Sequence, residues 1–571
     1  MPRLQLLALA LTITMQGCSC DGADSTLDAE ITDARAPIDD RQMPTTDGSP
    51  RDGATAMLSC GEVPAATFDP RTDYRAPAMT PAIVVSVASD DGPGSLRQAL
   101  RDAAAGAIIG FDSALAGRSI TLNSTLQLER SVTLDGSAAP GVTLDGQERG
   151  SILAYSSDTP IRLGFFALRF VNGRTTGAGG ALNLNGDRVE LEVGGCTFEG
   201  NGANEGGAIR VGYRRQPALI HDSVFIDNDG AVPGGDRAGF SGGAISSIGA
   251  TLRVSRCRFE NNRGPITGAV YAIHSDPRIE DSVFIANEST GTLGSGAFFA
   301  DGGGPGDYGT DYTDPRNDIP GQITLLRTRF ERNRGAGDDG GAVEAYAYPL
   351  DSVTFEDCVF FANRAAPGRA GAAFIHADRS VRVIRTAFVN NTATNTGGAI
   401  WADGDARYEF ENVLFSGNAI EGDLGGALRL NVGERAVIRI ASATFVDNVA
   451  SDANGAIWMG GRRDARITNS IFANNTFRGG GQQVNFPVED GGGNIEWPAP
   501  REAPTIPDAM HVDPRLDPLA EDASSYTRAP GAGSPAVDSA VARSPATDLR
   551  GATRDARPDI GAREVGAMCA P

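Results

Sequence analysis

Short apolar strands alternate with glycine-rich polar turns along most of this 571-residue chain, and they return in register. Phe followed three positions later by Asn recurs at Phe198/Asn201, Phe225/Asn228, Phe259/Asn262, Phe284/Asn287 and Phe330/Asn333. It continues at Phe360/Asn363, Phe388/Asn391, Phe415/Asn418, Phe445/Asn448 and Phe472/Asn475, while Phe170 opens the series with Gly173 in the Asn place. Most steps between successive Phe residues are 25–30 residues, with two longer ones of 34 and 46. A second signal follows each first one, as in Gly179-Gly-Ala-Leu182, Gly206-Gly-Ala-Ile209, Gly340-Gly-Ala-Val343 and Gly397-Gly-Ala-Ile400. Each unit therefore reads as a short strand, a Phe-x-x-Asn turn, Gly-Gly-Ala entering a second strand, and a third strand before the next Phe.

Three strands of four to six residues cannot bury their own apolar face, whereas stacked units can. Pairing each strand in parallel with its equivalent about 4.8 Å away gives an all-β, right-handed parallel β-helix, right-handed being the expected crossover sense. Its ~14 coils would extend about 65–70 Å. The repeated Phe points inward as a column of rings. The repeated Asn is expected at a tight bend, in left-handed geometry and bonded to its counterpart one coil along. Cys196, Cys257 and Cys358 fall two residues before a repeat Phe, where other units carry small or medium-sized residues, so they read as packed interior thiols. The run from Asp91 to Ala104 predicts one amphipathic helix that caps the N-terminal end of the stack. Strands expected at Ser119–Leu122, Val132–Leu134 and Val142–Leu144 open it.

The chain ends read differently. Arg3 precedes an apolar run from Leu4 to Met15, too short to span a ~30 Å hydrocarbon core and typical of a secretory signal. Gly17 directly before Cys18 resembles the lipobox of bacterial lipoproteins, which implies a lipid on Cys18 and membrane attachment through it. Residues 21–58 hold nine acidic residues, three arginines and no aromatic, a composition that cannot offset its ordering entropy. The expected organisation is signal peptide 1–18, disordered acidic tether 19–80, β-helix with its N-terminal cap 81–495, and an irregular C-terminal cap 496–571. Cys60 and Cys569 flank the folded body and are candidates for a disulfide joining its ends, with connectivity left open.

Charge narrows the function classes. There are 50 Lys+Arg against 72 Asp+Glu, a net −22, and every fixed cation is arginine. Nucleic acid and anionic lipid both demand dense positive charge, so neither is an expected partner. With 73 glycines in the chain, helix-rich folds are disfavoured, since an interior glycine costs a helix about 1 kcal/mol.

The Phe-x-x-Asn and Gly-Gly-Ala-Ile repeats resemble those of polymorphic outer-membrane proteins, which form right-handed parallel β-helices. Gly92-Pro-Gly-Ser-Leu-Arg-Gln-Ala-Leu100, Ile108-Ile-Gly-Phe-Asp112 and Val132-Thr-Leu-Asp-Gly136 look like that group's N-terminal cap. Gly493-Asn-Ile495, Val512-Asp-Pro-Arg-Leu-Asp-Pro-Leu519, Gly533-Ser-Pro-Ala-Val-Asp538, Thr547-Asp-Leu-Arg-Gly551 and Asp559-Ile-Gly-Ala-Arg-Glu564 are similar to a choice-of-anchor Q region. The resemblance implies a surface-exposed or secreted scaffold, often linked to adhesion, and no catalytic mechanism. Autotransporting members end in a membrane β-barrel; this chain shows none after 566, which leaves the expected Cys18 lipid as its anchor.

Candidate chemistry is sparse. Asp301, Asp307, Asp311, Asp314 and Asp318 lie in the insertion behind the 46-residue step, but their spacing is not that of an EF-hand loop, and a solvated acidic loop is the simpler reading. His221, His274, His376 and His511 share no repeat position and no metal-ligand spacing. Asp548 and Asp559, flanking Arg550 and Arg554, predict carboxylate–arginine pairs that pin the C-terminal cap to the last coil. No catalytic residue, metal or cofactor is assigned. The reading is a bacterial surface lipoprotein at the outer membrane or cell surface, or secreted, acting as a non-catalytic scaffold or adhesin toward a glycan or protein partner. The alternative is a carbohydrate-active β-helix enzyme, which three or more acids and an Arg converging in one groove would favour.

Overall fold

The computed structural model describes residues 63–567, except 187, 213–215, 234–240, 305–319, 338, 423, 452–454, 461–463, 477–482, 501–503, 523–524 and 542–543. Among the described residues, parallel strands stack coil upon coil into sheets of 15, 12, 14 and 6 strands, which makes a parallel β-helix. One antiparallel hairpin, Ala520–Asp522 with Ser525–Thr527, stands apart from them. Cys18, Cys60 and Cys569 lie outside the described residues, as do Asp307, Asp311, Asp314 and Asp318.

The interior is built around two in-register columns. On the 14-stranded sheet every repeat Phe pairs with its counterpart, from Phe170 with Phe198 and Phe198 with Phe225 to Phe445 with Phe472. Neighbouring ring centroids lie between 4.5 Å (Phe259–Phe284) and 5.0 Å (Phe388–Phe415) apart and nearly parallel. Offset stacking at this spacing adds about 0.5–1.5 kcal/mol per pair to the burial itself.

The Asn column is a hydrogen-bonded wire. The Asn363 backbone N–H and side-chain amide both donate to Asn391 Oδ1 at 3.0 Å, and the amide also donates to the Phe330 carbonyl at 2.9 Å. The same double donation runs from Asn201 to Asn228, from Asn228 to Asn262, from Asn262 to Asn287 and from Asn287 to Asn333. Beyond Asn391 it continues to Asn418, then to Asn448, and ends at Asn475. The ends of the wire explain two features of the sequence. Gly173 has no room for a side chain, since a Cβ there would sit 2.0 Å from the Gly180 carbonyl, and its N–H donates to Asn201 Oδ1. At the other end Gln483 Oε1 accepts from Asn475 at 2.9 Å and closes the row.

The backbone of these asparagines corrects one expectation. The left-handed corner does not fall on Asn201, Asn228, Asn262, Asn287, Asn333, Asn363, Asn391, Asn418, Asn448 or Asn475, none of which has a positive φ. It falls on the residue before the ladder position: Asp227, Asn261, Asn390 and Asn474 have φ of 54°, Ala286 52°, Gly417 66° and Asp447 58°. The ladder amide must face into the stack, and the preceding residue turns the chain to put it there. The second glycine of Gly-Gly-Ala is a close-approach position: a Cβ on Gly207 would lie 2.1 Å from the Gly243 carbonyl one coil along.

A helix at Leu96–Asp102 closes the N-terminal end, capped by Ser95 Oγ, which accepts from the Gln98 N–H, with Leu96, Ala99 and Leu100 buried. The outer face of the 14-stranded sheet is covered from both chain ends. Residues 63–80, inside the span expected as tether, lie along its earlier strands in the described structure. Arg71 Nη1 donates to Thr197 Oγ1 at 3.1 Å, Arg258 Nη1 to the carbonyls of Ala66 and Phe68 at 2.6 and 3.2 Å, and Arg329 Nε to the Pro64 carbonyl at 3.0 Å.

The C-terminal segment reaches back well beyond the last coil. Tyr526 stacks on Phe361 at 4.8 Å, and Leu549, Ile560 and Ala562 pack over Leu414, Val446 and Ile471. The outward positions there are mostly apolar, among them Val359, Phe361, Val389, Leu414, Val446 and Ile471, and burying them holds the segment down. Of the expected pairs, Asp548 with Arg550 is present, whereas Arg554 takes another carboxylate than Asp559. Arg554 bonds Glu564 at 2.9 Å and only the backbone carbonyl of Asp559, while Asp548 takes Arg563 at 2.7 Å and Arg550 at 3.5 Å.

Candidate functional site on the outer face of the twelve-stranded sheet

Strands of the 12-stranded sheet turn Val343, Ala345, Ile400, Ala402, Leu428 and Leu430 into the core, so the residues alternating with them face outward. Pairing aligns these outward residues in columns. One runs Tyr271, Phe299, Glu344, Phe374, Trp401, Arg429, Trp458; the next runs Ile273, Asp301, Tyr346, His376, Asp403, Asn431. Other outer faces carry alternating charges, as Arg382 and Glu409 do on the 15-stranded sheet. Aromatic rings concentrate here instead.

Turns entering the sheet form a roof over the first column. Ile266 packs on Tyr271 and Ile273, and Ala370 on Phe374 and Trp401. The Arg369 guanidinium carbon lies 4.7 Å from the Trp401 ring centre and 5.6 Å from that of Phe374, with Nη2 2.6 Å from Asp339 Oδ1. Arg429 covers Trp458 at 4.5 Å and donates to Thr396 Oγ1.

Beneath the roof sits Glu344, 2% exposed, in the place where neighbouring coils have Phe299 and Phe374. Burial, reinforced by the adjacent Asp339 carboxylate, raises its pKa well above the usual glutamate value. Its Oε2 and the Trp401 indole Nε1 are buried without hydrogen-bond partners. Asp403 and Asp339 both act electrostatically on Tyr346, as do Glu344 and Arg369. Three acids and one arginine therefore converge around Tyr346. A carboxyl whose pKa is raised thus lies near an arginine-held carboxylate, Asp339.

The second column borders the insertion, which leaves the sheet after Asp301. His376 Nδ1 is 2.6 Å from Asp403 Oδ1, and that hydrogen bond raises the imidazole pKa against the opposing effect of burial. Tyr348 donates to Asp301 Oδ1 at 2.8 Å and stacks on His274 at 5.6 Å. Asp351 clamps the insertion's stem by accepting from the N–H groups of Gly303, Gly304 and Gly321 at 2.7, 3.1 and 2.8 Å. Asp301 is therefore engaged with Tyr348. Among the described residues no group of three or more His, Cys, Asp or Glu is placed to hold a metal ion.

The remaining candidates are separate from this face. Cys196, Cys257 and Cys358 are free, buried thiols, and burial pushes Cys196 and Cys358 up to about 12. His221 lies on another sheet, 2.8 Å from Asp222 and 3.6 Å from Glu192, with Tyr74 of the N-terminal segment against its ring at 6.2 Å. Burial pulls its pKa down, and the two carboxylates more than offset this, raising it to about 8. His511 lies 4.0 Å from Glu496. Sequence reasoning missed Asp339, Glu344, Arg369 and Trp401. The available signal was an acid at the outward position directly after Gly340-Gly-Ala-Val343.

No known protein-family profile matches the chain. A similar stretch occurs in the probable autotransporter YfaL of Escherichia coli (strain K12), 35% identical over 96 residues. That stretch is 16% of this chain and 8% of the autotransporter, so the likeness spans a small part of the relative's length. Among the described residues no helix is long and apolar enough to cross a membrane.

Proposed function

We propose that this chain is a bacterial surface scaffold of the adhesin type, related to the polymorphic outer-membrane and choice-of-anchor Q groups, held at the outer membrane by a lipid on Cys18. The carrying observation is the unbroken Phe and Asn ladder, which makes a stiff rod whose outer side chains vary from coil to coil without disturbing the core. Likeness to an autotransporter supports the surface location. The rod presents a roofed aromatic face and a clamped insertion to a glycan or protein partner. Protease shaving and antibody labelling of intact cells test this: the wild type is expected at the surface, and Cys18→Ser is expected in the medium or periplasm. A protein inaccessible on intact cells would overturn the reading.

A second reading has its own observation. The convergence of Asp339, Glu344, Asp403 and Arg369 around Tyr346 fits a carbohydrate-active enzyme whose acid would be Glu344, its pKa raised by burial. Release of reducing or unsaturated sugar from polysaccharides, with and without calcium, decides it. Release abolished by Glu344→Gln would favour the enzyme.

A further inference from the structure

The two coverings of the 14-stranded sheet meet on a single side chain. Arg329 faces outward from the strand Arg329–Glu331, yet it is only 1% exposed. Its Nε donates to the Pro64 carbonyl of the N-terminal segment at 3.0 Å. Its Nη2 lies 3.3 Å from Glu521 Oε1, on the hairpin of Ala520–Asp522 with Ser525–Thr527 in the C-terminal segment. The guanidinium carbon is 5.7 Å from the ring centre of Tyr526 on the same hairpin, and along its own strand Nη1 reaches Glu331 Oε2 at 3.4 Å.

Each covering therefore seals one side of a buried cation. An ion pair kept from water is stronger than the same pair at the surface, where solvent screens it. When the N-terminal segment lifts, water reaches the guanidinium and the Glu521 pair becomes a surface pair. When the hairpin lifts, the bond to Pro64 is wetted in turn. Either departure weakens the hold on the other segment, and such a coupling is reciprocal.

The remaining fastenings are light. Among the described residues the first strand begins at Ile83, so the N-terminal segment hangs on side chains: Arg258 on the carbonyls of Ala66 and Phe68, Arg71 on Thr197, and Tyr74 over Gly195. The hairpin pairs two strands of three residues and stacks Tyr526 on Phe361 at 4.8 Å. Segments held this way open locally at less than the cost of unfolding the coils. Apolar side chains lie underneath. Val224, Val283 and Ile285 point outward but are buried, on coils between the anchor points at Thr197, Arg258 and Arg329. The hairpin lies over Phe361 and the strand Ala387–Val389.

We propose that Arg329 is a clasp that makes the two coverings open together, so that this face of the rod switches as one unit between a closed state and an open state that bares the apolar side chains from Val224 to Val389. The clasp goes beyond the scaffold reading and does not depend on where in the cell the rod stands.

Hydrogen-exchange mass spectrometry on the full chain tests it with Tyr74→Ala, Tyr526→Ala and Arg329→Met. Tyr74 and Tyr526 sit at the coils of Phe198 and Phe360, five apart. That is about 24 Å at the spacing of paired strands, a separation at which independent substitutions simply add. The expected result is exchange at least tenfold faster at 525–527 in Tyr74→Ala and at 63–72 in Tyr526→Ala. Arg329→Met should speed both, while the coil strands keep their protection. Tyrosine variants that each loosen only their own segment would overturn the clasp. So would an Arg329→Met protein with both segments still protected, or a gain in exchange that the coils share equally in the tyrosine variants. If Arg329→Met does not fold, the two tyrosine variants decide alone.

Discussion

One asparagine per coil does more for this molecule than its size suggests. Asn363 accepts twice from Asn333 and donates to Asn391 and the Phe330 carbonyl, all inside the stack. Asn363→Ala strands buried donors and an acceptor, and should destabilise the body by about 3–5 kcal/mol. Phe360→Leu keeps an apolar filler in the ring column and should cost about 1–2 kcal/mol. Thermal melts of both variants check the order; a milder effect for the asparagine would show the wire to be dispensable. Glu344 behaves in the opposite sense. An acid whose folded pKa is raised costs nothing below its ordinary range and destabilises progressively as pH rises through and above that range. Glu344→Gln should therefore stabilise the protein at pH 7 by on the order of 1 kcal/mol and not at pH 4, as melts at the two pH values will show. His221 is the mirror case. Its raised pKa of about 8 gives stability fully present below the unfolded value of 6.5 and lost as pH climbs through about 8. The stability gap between wild type and His221→Gln should close from pH 6 to pH 9.

Among the elements, the two covering segments carry the testable differences. Tyr74 seats the N-terminal segment against His221, and a Cβ on Gly195 would fall 2.1 Å from the Tyr74 ring. Tyr74→Ala should free that segment, seen as new proteolytic cleavage within 63–80 while the coils stay resistant. Arg554, 6% exposed, ties Glu564, Asn412 Oδ1 and three backbone carbonyls. Arg554→Ala leaves Glu564 buried without its cation and should cost about 3–5 kcal/mol, with the C-terminal segment exchanging its amides first. The sequence shows the interior of each coil because the same restraint acts on every one: a ring must meet a ring and an amide an amide. It does not show which residue takes the corner, because Asp227, Ala286 and Gly417 turn the chain equally well ahead of Asn228, Asn287 and Asn418 and leave no common letter. Outward positions carry no such restraint either. Glu344 thus looks like one acid among 72 until the pairing puts it in line with Phe299 and Phe374. The segment 63–80 is illegible for a related reason: its partners, Thr197, Arg258 and Arg329, are far away in sequence and fit no local pattern.

At the scale of the whole molecule, stacking makes length adjustable. Deleting 143–168 joins Val142 to Arg169, whose backbones already pair as neighbours, and puts Arg169–Val171 in the place of Thr143–Asp145, so that Phe170 takes over the pairing of Leu144 with Ile120. The product should be a folded rod shorter by about 4.8 Å, measurable by small-angle scattering with an unchanged β-sheet spectrum. Deleting 259–283 removes a coil that lies beneath the N-terminal segment, between Arg258 and Arg329. Its coils should still close, but the overlying segment would no longer match its anchor points and should become protease-sensitive.

That segment is thus a built-in gauge. Arg329, joined to Pro64 on one side and to Glu521 on the other, marks where the two coverings meet. Duplication and loss of coils, the usual currency of evolution in such proteins, would be free near the N-terminal helix and penalised under the gauge. Relatives of this chain should therefore differ in copy number mainly ahead of Phe198, and hold it constant from Phe198 to Phe330.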